Sequence, residues 1–378
     1  MLVILALLAF FAIALPDAML GVAWPYMRVT FDQPLAAMTL VLPFGVAATL
    51  VSTSGWTWAA ARLGLGRLLT VSIAVSTAAL LASALAPAYW VILGCAVLFG
   101  LSAGAVDAAL NAYAAKHFGP RLINAMHAAY GIGAAASPLA VTAAVSIGAG
   151  WRWAYVAVMA LQGVLAVLFA VSVRRWHSVP PGDTPARPAA PARGFSRPAV
   201  TGLLTVVMES GLEAAVGLWA FVYLLDGLAL PAAVAGGVVS GYWAALVVGR
   251  LLLGALAERA GTWPVIAAAT GTLVAAAGLL LPGRPVPAAV GVVLLGLAAA
   301  PIYPLLVLTT GERTAPHLVD RLVGFQAGAS TVGSVSFAGL TGLLLGADLT
   351  LFPWCVLVLA VLTVGGIGAI RPGRGLAP

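Results

Sequence analysis

Charge is scarce in this sequence. Charged residues make up 8% of its 378 positions and hydrophobic residues 62%, whereas ordinary soluble domains carry roughly 25% charged residues. So few charges cannot dress the surface of a soluble fold of this length, and an all-α integral membrane protein is expected. Lys116 is the only lysine, and there are just two cysteines, Cys95 and Cys355. Both cysteines fall in apolar stretches without CxxC or Cys/His spacing, which argues against a disulfide framework or a metal site. The GxxxxGK[ST] nucleotide loop, the HExxH zinc motif and the GxSxG nucleophile elbow are all missing. Nothing therefore points to an ATP-driven pump, an enzyme or a bound cofactor. Basic patches interleaved with aromatics are missing too. The net charge of +7 comes from arginines scattered through short loops, which speaks against nucleic acid.

Long apolar runs are what the sequence does have. Stretches of about 20 residues, enough to cross a ~30 Å hydrocarbon core, recur at 2–27, 34–58, 68–87, 90–113, 122–146, 152–173, 199–225, 232–257, 262–281, 286–309, 322–345 and 350–370. Each should be a helix, because a lipid-facing backbone must satisfy its own hydrogen bonds. Pro43, Pro138, Pro301 and Pro304 lie inside spans, where proline can kink a helix. The run from Met1 lacks the basic region of a secretory leader and continues past Trp24, so it reads as a first transmembrane helix.

Charge placement orients these spans. With both termini in the cytoplasm, only Arg28, Arg152 and Arg284 of the 18 lysines and arginines fall in outer loops. The positive-inside rule then predicts a multi-pass protein of the inner (plasma) membrane with both termini cytoplasmic. Residues 174–198, rich in Pro, Ala and Arg, read as a cytoplasmic linker. They divide an N-terminal six-helix half, 1–173, from a C-terminal six-helix half, 199–378. A shift of 196 residues places Asp17 on Glu213, Gly21 on Gly217, and Gly100-Leu101 on Gly296-Leu297. A shift of 197 places Arg62-x-Gly64 on Arg259-x-Gly261. Parallel half-repeats of this kind are what two-half secondary transporters show.

Four acids sit inside apolar stretches: Asp17, Asp107, Glu209 and Glu213. A carboxylate there costs at least about 2.5–3.5 kcal/mol even on the lenient insertion scale, and is usually tied to an ion or substrate path. Apolar surroundings favour the protonated form of a carboxyl group, so proton coupling at Asp17, Asp107 and Glu213 is physically reasonable. Asp107 and Asn111, four apart, share a face of the fourth helix; Asn124, His127 and Tyr130 follow on the fifth. Asparagine offers a donor and an acceptor, histidine a titratable nitrogen and tyrosine a hydroxyl. Such a wall suits a polyhydroxylated or otherwise neutral polar solute. The competing reading is an interhelical hydrogen-bond clamp.

Asp17-x3-Gly21-x2-Trp24-Pro25 sets an acid, a gap and an aromatic face along one helical stripe. Glu213-x3-Gly217-x-Trp219 is its counterpart, with Glu209 one turn earlier. Trp24 and Trp219 are thus candidate cavity walls, against the alternative that they pack or sit in an interface belt. In the second half, Tyr303 is the positional equivalent of Asp107, and Gln326 that of Tyr130; both are candidate solute contacts.

These residues carry a resemblance. The block Gly100-Leu-Ser-Ala-Gly104-Ala-Val-Asp107-x3-Asn111 is followed by Asn124-x2-His127-x3-Gly131-x-Gly133-x4-Pro138. With the Asp17 pattern and Trp151-Arg-Trp-Ala-Tyr155, it is similar to the fucose permease-like branch of the major facilitator superfamily (MFS). Arg62-Leu-Gly-Leu-Gly-Arg67 resembles a degenerate form of that superfamily's loop between helices two and three. Gly249-Arg250 through Glu258-Arg259-Ala-Gly261 resembles a closer second copy. The resemblance spans essentially the whole chain and implies the MFS fold, twelve transmembrane helices in two six-helix halves.

In that branch, acids on helices one and four serve proton coupling and sugar binding, roles the resemblance carries to Asp17 and Asp107. The expectation is a monomeric secondary active transporter, a symporter moving a sugar or sugar-like solute with protons by alternating access among membrane lipids. The alternative is proton-driven efflux of amphipathic drugs or metabolites. A membrane receptor is a third class, for which the sequence offers no output domain.

Overall fold

The computed structural model describes residues 1–176 and 195–371, and no strand occurs among them. Helices α1 (Leu2–Thr30), α2 (Met38–Leu63), α3 (Leu65–Leu85), α4 (Tyr89–His117), α5 (Pro120–Ser146) and α6 (Trp151–Ser172) come first. They are followed by α7 (Arg197–Val222), α8 (Ala232–Ala260), α9 (Thr262–Gly278), α10 (Pro285–Ala299), α11 (Ile302–Leu308), α12 (Val319–Ala347) and α13 (Phe352–Ile370). Among the described residues, eleven spans are long and apolar enough to cross a membrane, with α10 and α11 forming one of them. The shorter apolar helix α9, at about 26 Å for its 17 residues, supplies the twelfth crossing of the all-α membrane fold.

The helices outrun the apolar stretches that predict them. Helix α1 extends to Thr30, α2 to Leu63 and α4 to His117, because a helix keeps its backbone bonds after its side chains turn polar. Prolines act unequally. Pro43 and Pro138 are absorbed inside α2 and α5, whereas Pro301 separates α10 from α11. Pro16 in α1 has no N–H to give the Ala12 carbonyl one turn earlier. That carbonyl is satisfied instead by the Gln162 amide of α6, at 2.7 Å. The orphan made by the proline just before Asp17 is thus closed by a neighbouring helix.

The chain divides into two compact units, Met1–Arg187 and Pro188–Pro378. In the first, α1 pairs with α5, α2 with α4 and α3 with α6. In the second, α7 pairs with α12 and α8 with α10, while α13 packs on α7 and α9. Most of the linker expected at 174–198 lies outside the described residues. Its described ends are a 3-10 turn, Val173–Arg175, and the start of α7 at Arg197.

Glycine sets how close these pairs come. A Cβ at Gly100 would run into the Gly45 carbonyl oxygen of α2, and one at Gly296 into the Tyr242 carbonyl of α8. The two glycines stand 196 residues apart, at the same crossing in each unit. Close approach through small residues is how helices pack where lipid removes the hydrophobic drive between them. Gly64 and Gly261 form the other matched pair. Each ends one helix and begins the next with φ +79° and +91° and ψ near 151°, a region essentially reserved for glycine.

The Trp151-Arg-Trp-Ala-Tyr155 segment ties helix ends together. The Trp151 indole donates to Thr30 Oγ1 at 3.1 Å, and Arg152 donates to the Ala84 and Ala86 carbonyls at the end of α3. A cation there satisfies orphan carbonyls and opposes the helix dipole.

Candidate functional site

In the first unit, α4 and α5 hold the expected polar cluster and α1 adds to it. The Asn111 amide donates to Asp107 Oδ1 at 3.0 Å along α4, and both residues are half-buried. Asn111 Oδ1 is buried and has no hydrogen-bond partner. His127 on α5 is exposed and lies within electrostatic range of the Asp107 carboxylate. Its ring meets Phe10 of α1 edge-on, with centroids 5.4 Å apart. One turn further along α5, the Tyr130 hydroxyl donates to Asp17 Oδ2 of α1 at 3.3 Å. Asp17 is exposed although it sits near the middle of α1.

Asn124 is also exposed, on the same face of α5 as His127 and Tyr130. The α1–α5 seam below these groups is closed by Gly133, which leaves no room for a Cβ beside the Phe11 carbonyl, and by Ser137, which donates to the Leu15 carbonyl at 2.6 Å. Asp17 is thus joined to Tyr130, and Asp107 to Asn111 with His127 in electrostatic range, across three helices, while Asn124 lies exposed one turn before His127.

The second unit holds a different constellation. Glu213 of α7 is bridged by the Arg250 guanidinium of α8, at 3.2 Å to Oε1 and 3.3 Å to Oε2. Tyr242, also on α8, donates its hydroxyl to the Glu213 carbonyl at 3.0 Å. One turn before, Glu209 is 1% exposed. It accepts a hydrogen bond from the Ser210 hydroxyl at 3.2 Å on Oε2, while its Oε1 has no partner. Tyr303, half-buried at the start of α11, lies within electrostatic range of Glu209.

Three expected solute contacts lie within the packing. Trp24 and Trp219 are fully buried, and their indole N–H groups are spent on the Leu35 carbonyl at 2.9 Å and the Ala338 carbonyl at 2.8 Å. Neither offers a face or a donor to a solute. Gln326 is 1% exposed and accepts from the Thr310 hydroxyl at 3.0 Å, so it clasps α12 to the segment after α11.

Arg250 is a functional residue that the pattern of acids and aromatics does not single out: unlike the loop arginines, it lies within α8, inside the apolar span 232–257. Applied to cations, the burial argument that singled out the four acids would have found it. Among the described residues, no group of three or more His, Cys, Asp or Glu side chains is placed to hold a metal ion.

The family model described as Major Facilitator Superfamily matches residues 6–338. No curated protein sequence matches the chain. Among solved structures it is similar to the nucleoside transporter NupG, at 14% identity and a TM-score of 0.74, with 98% of each chain covered. It is also similar to a bacterial homolog of the human lysosomal transporter Spinster in an inward-facing, occupied conformation. That match has 13% identity and a TM-score of 0.74, and covers 97% of this chain and 95% of the other. At such identities the likeness speaks for the fold alone.

Proposed function

The chain belongs to the major facilitator superfamily, and on that premise we propose that it carries a small polar solute, a sugar or sugar-like compound, across the inner membrane together with protons. Alternating access by rocking of the two halves would expose a midplane site to each side in turn. The observation that carries this reading is the Asp107–Asn111 pair with its unpartnered Asn111 Oδ1. A buried acceptor without a donor is costly to leave unmade, and a solute hydroxyl supplies what it lacks.

Around it, His127 and Asn124 add donors and acceptors, and Asp17 with Tyr130 adds a second carboxyl–hydroxyl pair. Similarity of the Asp17 and Asp107 blocks to the fucose permease-like branch supports assigning these two acids to proton coupling or sugar binding. Glu213, held by Arg250, would act as half of an ion pair. Nucleosides also present sugar hydroxyls, and the fold is shared with a nucleoside transporter, so they belong among the solutes tested.

Flux into proteoliposomes with an imposed pH gradient, across sugars, polyols, nucleosides and amphipathic drugs, tests the reading. The expected outcome is accumulation of one polar class that depends on the gradient. Sugar uptake indifferent to the gradient would remove proton coupling, and gradient-driven extrusion of a drug would replace uptake by efflux. Asp107→Asn is expected to abolish gradient-driven accumulation while the protein still expresses and folds; coupled transport at the wild-type rate would make Asp107 structural.

A further inference from the structure

Glu209 stands apart from the other acids. It is the most deeply buried of the four, its Oε1 meets no donor, and its single protein hydrogen bond comes from the adjacent Ser210. An ionised carboxylate accepts at about four lone-pair sites, and burying one without partners is strongly unfavourable. Among the described residues the cation beside it is Arg250, which donates to both carboxylate oxygens of Glu213.

Among the described residues, the other charges on neighbouring elements lie toward the helix ends: Arg197 begins α7, Asp226 follows it, Glu258 and Arg259 end α8, and Arg313 packs beside Gly202. Helix α8 presents Tyr242 and Arg250, and α11 presents Tyr303. Helix α12 places Ser334 on the Ser210 carbonyl at 3.3 Å, and its charged residues, Asp320 and Arg321, lie in its first turn. Helices α10 and α13 contain no charged residue. Two carboxyl groups one turn apart therefore share one guanidinium. Charge balances only when one of them is neutral.

We propose that Glu209 is a proton-binding site of the second unit, carrying a bound proton while the Arg250–Glu213 pair beside it stays ionised. The geometry grades from dry to wet. Glu209 is sealed, the Glu213 side chain is 22% exposed and that of Arg250 45%, so a proton leaving Glu209 reaches water past the ion pair. In that step the Glu209 O–H bond breaks, the proton passes to water and the cluster gains one negative charge, which ties release to an added cation or to opening of the site. A metal cation is a poorer occupant, because Arg250 repels it and the site offers few oxygens.

The inference deepens the proton-coupling reading for the second unit, but its test needs no transported solute, so the two stand or fall separately. Infrared difference spectra of the purified full chain at pH 7, in sodium-free buffer, compare wild type with Glu209→Gln and with Glu213→Gln. The expected result is loss of one protonated-carboxyl C=O band in Glu209→Gln, and weakening of that same band in Glu213→Gln, where Arg250 is left without its carboxylate and Glu209 ionises to balance it. Loss of ionised-carboxylate bands in Glu209→Gln overturns the proposal. Arg250→Gln gives a second measurement on a variant that leaves Glu209 in place. With that cation gone nothing favours an ionised Glu209, so the protonated-carboxyl band lost in Glu209→Gln should persist in Arg250→Gln; its disappearance would overturn the proposal.

Discussion

Asp17 with Trp24 and Glu213 with Trp219 repeat one pattern, an acid and an aromatic on a helical stripe, and the structure gives the two residue types different work. The acid of each stripe reaches a polar neighbour, Tyr130 for Asp17 and Arg250 for Glu213. Each tryptophan instead fills the core and ties down a backbone carbonyl. Trp24→Ala should cost about 3–5 kcal/mol of stability, as for other buried large-to-small changes, read as a lower unfolding midpoint of the detergent-purified protein. Transport per folded molecule should persist in Trp24→Phe. A loss of solute affinity in Trp24→Phe with unchanged stability would return Trp24 to the binding site.

Spacing found the faces of α4 and α5 because i, i+3 and i+4 positions must share a side. It could not tell an indole turned to a cavity from one turned to a neighbouring helix, since both stripes read alike. Nor could spacing show that Arg250 lies across from Glu213, because that contact joins residues 37 apart through tertiary packing.

Among the helices, length and apolarity told nearly everything about crossings, because hydrocarbon leaves the backbone no other way to satisfy itself. Their ends and breaks were less legible. Helices continue into the headgroup region, and whether a proline kinks or breaks depends on what receives the freed carbonyl, as Gln162 does for Ala12. The matched glycines make the element scale testable. Gly100→Leu and Gly296→Leu should each push apart an α2–α4 or α8–α10 crossing and lower the unfolding midpoint, whereas Gly94→Leu, with open space around its missing Cβ, should leave it unchanged. Gly64→Ala and Gly261→Ala should each cost about 1–3 kcal/mol for forcing a side chain into positive φ, again seen in thermal unfolding. Equal stability in either alanine variant would mean the turn relaxes without glycine.

For the molecule as a whole, scattered arginines predict sidedness. In a Cys95→Ser, Cys355→Ser background, a thiol at Arg284→Cys should react with an impermeant maleimide added to intact cells, and one at Arg62→Cys only after permeabilisation. The reverse pattern would invert the topology. The Arg250–Glu213 pair also bears on how the chain enters the bilayer during synthesis. Helix α7 emerges first, carrying two carboxyl groups, each costing about 2.5–3.5 kcal/mol at a helix centre, and it is among the least apolar of the spans. Its neutralising cation arrives 37 residues later. The translocon is therefore expected to release α7 and α8 as a hairpin. In a glycosylation-mapped insertion assay, α7 alone should insert poorly, α7 with α8 efficiently, and the hairpin bearing Arg250→Ala in between.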